Sequence, residues 1–104
     1  GWQRDLSVSH NKIGDVQVTQ RNLPAALESY RASMRIRERL AQADPGNAGW
    51  QRDLIISFVK LSEVTGEKSY ASRALQVALD MQQRAILAPR DEWMIEDLKR
   101  RSGQ

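Results

Sequence analysis

Gly49-Trp50-Gln51-Arg52-Asp53-Leu54 reproduces Gly1-Trp2-Gln3-Arg4-Asp5-Leu6 letter for letter, 48 residues later. Six identical residues that include a tryptophan are improbable by chance in a chain of 104. Self-similarity at a fixed period of tens of residues marks stacked supersecondary units, none of which buries its apolar face alone. The hexapeptide therefore defines a repeat and fixes its period.

Around each copy the apolar residues recur at helical spacing. Trp2, Leu6, Ile13, Val16 and Gln20, with His10 on the same face, form one stripe of a helix over residues 1–20. Ser7, Ser9, Asn11 and Gly14 are weak helix formers, so packing has to hold this helix. Arg21-Asn22 interrupts it, and Pro24 suits the first turn of a second helix running to about Ala43. That helix presents Ala26, Leu27, Tyr30, Met34, Leu40 and Ala41 on its apolar face. Asp44-Pro45-Gly46-Asn47 then supplies a stop, a turn and an N-cap.

The second copy replays the first helix with Trp50, Leu54, Phe58, Leu61 and Val64 or Thr65, and adds Ile55, Ile56 and Val59. Apolar on more than one side, it belongs between neighbours. Gly66-Glu67-Lys68 ends it, and Ser69 caps a helix expected over Tyr70 to about Leu87. A last helix, Arg90 to Arg101, carries Trp93, Met94, Ile95 and Leu98 and departs from the repeat pattern, as a terminal cap does. Asp91 and Glu92 at its start and Lys99-Arg100-Arg101 at its end suit the helix dipole.

Composition narrows the function classes. With 40% apolar and 28% charged residues the chain is a globular one, not a disordered one. No apolar run approaches the roughly 18–20 residues of a membrane span. Without cysteine there is no disulfide and no thiolate metal site. The net charge of +3 is spread over 16 basic and 13 acidic residues, which is weak support for nucleic acid. His10 has no second histidine to share a metal with and reads as a packed interface residue. No phosphate-binding glycine loop or nucleophile elbow is present, so a non-catalytic protein without cofactors is expected.

His10-x2-Ile13-Gly14-x2-Gln17, followed by Ala26-x3-Tyr30 and Pro45, resembles the tetratricopeptide signature W-x2-L-G-x2-Y…A-x3-F…P. Ser33 matches a further small position, and the second copy gives Phe58, Leu61, Ser62, Ala74 and Ala78 in the same register. The family period is about 34 residues. Here Pro45 comes about seven residues late after Tyr30, and Phe58 about seven late after Pro45, so both helices are about two turns longer. In this the chain resembles the long-helix repeats of kinesin light chains and bacterial arrays.

The resemblance implies an all-α superhelix of two tetratricopeptide-like hairpins and a C-terminal capping helix, five helices in one domain. Repeat 1 spans about 1–45, repeat 2 about 46–88 and the cap about 90–102, as part of a longer array. It also implies a protein–protein interaction or scaffold module whose concave groove holds a peptide or a partner helix. By register the groove comprises Asn11, Lys12, Asp15 and Val18 from repeat 1 and Val59, Lys60 and Glu63 from repeat 2. Asp15 and Glu63 favour a basic or mixed-charge peptide. The first helix, with no repeat before it, leaves Trp2 and Leu6 seeking cover, which favours self-association. Nucleic-acid binding through the stripe Arg31, Arg35 and Arg39 is the rival reading, and a regulatory domain of a larger effector is a third. With no membrane segment in the sequence, a cytoplasmic location is expected.

Overall fold

The computed structural model describes residues 1–103. Five α-helices follow one another: α1 (Trp2–Thr19), α2 (Leu23–Ala43), α3 (Ala48–Thr65), α4 (Lys68–Gln83) and α5 (Trp93–Ser102). One 3-10 turn, Pro89–Asp91, precedes α5, and no strand occurs among the described residues. Each helix packs chiefly on the one before it and the one after it.

Local chemistry sets the boundaries. The Asn22 side chain accepts from the Ala25 amide and caps α2, with Pro24 in its first turn. Asn47 caps α3 by accepting from the Trp50 amide at 3.1 Å. Gly66 ends α3 at φ +72°, a left-handed conformation that costs glycine little. Arg21 and Ala85 adopt φ +60° at the ends of α1 and α4, where the same reversal is made without glycine.

Two expected boundaries shift. Helix α4 begins at Lys68, before Ser69, because Thr65 Oγ1 accepts from the Glu67 amide and turns the chain into the helix directly. It ends at Gln83, four residues before Leu87, where the Ile86 amide bonds back to the Met81 carbonyl. Ile86 and Leu87 thereby fold onto the core as loop residues. The final helix likewise starts at Trp93. Asp91, expected to open it, is instead buried and accepts from Arg52 Nε at 3.1 Å.

As its sequence implies, α3 is central. Leu54, Ile55 and Phe58 are buried and join Ala74, Leu75, Ala78 and Met81 of α4 and Met94, Ile95 and Leu98 of α5, while Leu61 is buried with Ala26 and Tyr30 of α2. The α1 stripe behaves differently. Trp2, Leu6, Ile13 and Val16 are exposed, because α2 covers the opposite side of α1, where Ser7, Asn11 and Gly14 are buried.

The α1–α2 pair closes tightly at Gly14. A Cβ there would stand 2.5 Å from Tyr30 Cε1 and 2.7 Å from Cδ1. The Tyr30 ring is buried, and its hydroxyl donates to Asp15 Oδ1, so it is held at both ends. Alanine in place of a helical glycine gains at most about 1 kcal/mol of propensity. Overpacking a fixed ring costs about 1–3 kcal/mol. Gly14→Ala should therefore lower stability by about 1–2 kcal/mol in denaturant unfolding, and a more stable variant would show that the ring moves freely.

Candidate functional site

Two recesses lie along α3 and meet at Lys60. The first, about 240 Å³, is lined by Asp15 and Val18 of α1, Leu23 and Tyr30 of α2, and Lys60, Glu63 and Val64 of α3. The second, about 260 Å³, lies between α3 and α5. Its apolar lining comes from Ile55, Ile56, Val59, Trp93, Met94 and Leu98, with Arg52, Lys60, Asp97 and Arg101 beside them. Trp93 is 62% exposed, and nothing in the fold of the described residues covers it.

Four of the residues anticipated for a groove, Asp15, Val18, Lys60 and Glu63, converge on the first recess. Val59 faces the second. Asn11 is buried, and its Oδ1 has no hydrogen-bond partner among the described residues. Lys12 stands apart, beside Ile13, Val16, Gln17 and Gln20 in a shallow depression on the open side of α1.

Both groove acids are satisfied internally. Asp15 Oδ1 accepts from Lys60 Nζ at 3.0 Å and from the Tyr30 hydroxyl. Burial alone would raise the Asp15 carboxyl, but these two donors outweigh it and leave the group below its ordinary value. The Tyr30 hydroxyl is pushed up by burial and then by its bond to Asp15. Glu63 takes Arg101 Nη1 at 3.4 Å, and Arg101 also donates to Asp97 through Nε at 2.8 Å. The bond to Asp97, set against partial burial, leaves the Arg101 guanidinium above its ordinary value. A basic ligand would have to displace these lysine and arginine partners. The larger open surface in the groove is apolar.

Trp93 and Ile56 were outside the sequence-based groove. Their signal was present, since Trp93 sits in a polar-rich terminal helix and Ile56 lies off the main stripe of α3. Among the described residues no three His, Cys, Asp or Glu side chains converge as metal ligands. No helix is long and apolar enough to cross a membrane. No family model matches the chain, and no curated protein or solved structure matches it either.

The Asp15 bonds carry a pH signature. A carboxyl lowered on folding contributes stability above its unfolded value, near 3.8, and loses that contribution as the pH falls through the folded value. The stability gap between the natural chain and Asp15→Asn should therefore narrow below about pH 4. Urea midpoints at pH 7 and pH 3 measure this, and an unchanged gap would show that the carboxylate contributes nothing.

Proposed function

We propose that the chain is a non-catalytic interaction module of the tetratricopeptide-like kind, with its repeats stacked as an α-α superhelix. Its ligand is a peptide or partner helix laid along α3. The observation that carries this reading is the pair of adjoining recesses, one fringed by charge and one apolar, sharing Lys60. Burial of one aliphatic or aromatic side chain against Ile56, Val59 and Trp93 is worth about 1.5–3 kcal/mol. Two such anchors over adjacent recesses support a weak, specific contact. The tight Gly14–Tyr30 approach and the buried Ala26 support the family reading, because the signature places small residues there.

Peptides selected for binding to the intact chain should share apolar anchors, and their affinity should fall about tenfold or more with Val59→Glu or Trp93→Ala. Equal binding to these variants, with helicity intact, would remove the groove from consideration. The reversal Asp15→Lys with Glu63→Lys separates charge from apolar recognition, since it should weaken only peptides that engage the first recess.

A second reading has one observation in its favour. Arg31, Arg35 and Arg39 are exposed along α2, and none forms an ion pair among the described residues. Nucleic-acid binding on this stripe would weaken by about an order of magnitude or more between 50 and 200 mM salt. Absence of binding at low salt would dismiss it.

A further inference from the structure

The open face of α1 has a covered counterpart within the same molecule. Shifted by the 48-residue period, Leu6 becomes Leu54 and Ile13 becomes Leu61. Leu6 and Ile13 are 41% and 49% exposed, whereas Leu54 and Leu61 are 5% and 0% exposed. The difference is α2, which lies over the second pair and has no equivalent over the first.

The polar contacts of that covered face are equally specific. Gln51 Nε2 donates to the Ala41 carbonyl at 2.9 Å, near the end of α2. Asp53 Oδ2 accepts from Arg4 Nε at 2.7 Å. Arg37 Nη1 donates to the Asp53 carbonyl at 3.0 Å and to Ser57 Oγ at 3.1 Å. Gln3, Asp5 and Ser9 are the same residue types at the same places on α1. All three are exposed, and the Asp5 carboxylate has no ion-pair partner among the described residues.

We propose that the open face of α1 is a joint for one further helical hairpin of the α1–α2 kind, seated as α1–α2 is seated on α3. Asp5 receives an arginine placed like Arg4, Ser9 and the Asp5 carbonyl receive one placed like Arg37, and Gln3 bonds the carbonyl end of the incoming second helix. A second folded copy of this chain is not the complement. Its α2 is already engaged on its own α3, and its α4 is covered by α5. The occupant is an additional repeat hairpin. The inference rests on the duplicated contacts and is independent of whether the α3 recesses bind peptide.

The test extends the intact chain by a copy of its own residues 1–48 placed directly before Gly1. The lengthened chain should unfold in one cooperative transition at higher denaturant, with the α1 amides more strongly protected from hydrogen exchange. Asp5→Asn, made in the original α1, should reduce the folding equilibrium constant of the lengthened chain about tenfold and that of the natural chain less than twofold. An added segment that stays protease-sensitive, two independent transitions, or equal effects of Asp5→Asn in both chains would overturn the proposal. So would sedimentation showing that the natural chain dimerises and that Leu6→Glu abolishes the dimer, because a second copy would then occupy the face.

Discussion

A single buried guanidinium ties the first three helices together. Arg37 is 4% exposed and reaches from α2 to Ser7 Oγ on α1 and to Ser57 Oγ and the Asp53 carbonyl on α3. Taking a charge from water costs several kcal/mol unless its donors are met. Here neutral acceptors meet two of its nitrogens, and the Asp53 carboxylate lies close enough to oppose the effect of burial, which pushes Arg37 below its ordinary value. Ser33 donates to the Ser7 carbonyl at 2.9 Å and completes the contact. This explains why Ser7, Ser33 and Ser57, poor residues for helix interiors, are fully buried in three successive helices. Ser7 and Ser57 accept from the cation, and Ser33 bonds the Ser7 carbonyl beside them.

The second half of the molecule solves the same packing problem without charge. The period carries Ser7 to Ile55, Ser33 to Met81 and Arg37 to Ala85. Ile55 and Met81 are buried in the apolar cluster, and Ala85 lies past the end of α4. Helix α4 is also shorter than α2, 16 residues against 21. The chain saved there forms the loop and 3-10 turn that carry Asp91 to Arg52. Arg73, 4.5 Å over the Phe58 ring and paired with Glu38, adds a cation on the outer side of this half.

The helices, their order and the central place of α3 were legible in the sequence. Each rests on local signals: period, caps, and small residues at fixed spacing. The burial of Arg37 was not legible, because it stands within Arg35-Ile36-Arg37-Glu38-Arg39 and reads as part of a solvated stripe. Its only sequence cue lies on other helices, in the serines that accept from it. The recess beside α3 was partly legible for the same reason. Register places Asp15, Val18, Lys60 and Glu63 together, but it does not show that Lys60 and Arg101 already engage the two acids. Asn11 falls outside because it is buried, and Lys12 because it stands with Ile13 and Val16 on the open side of α1.

The two motif arginines both reach towards the C-terminus, Arg4 to Asp53 and Arg52 to Asp91. In both, a guanidinium from the first helix of a copy meets a carboxylate that follows it in the chain, a directed contact that apolar packing alone would not specify. The second pair ends on Asp91, a carboxylate from outside the repeat, buried on a 3-10 turn while Arg52 stays partly exposed. Two ion pairs thus fix the order in which α1, α3 and the turn before α5 meet one another.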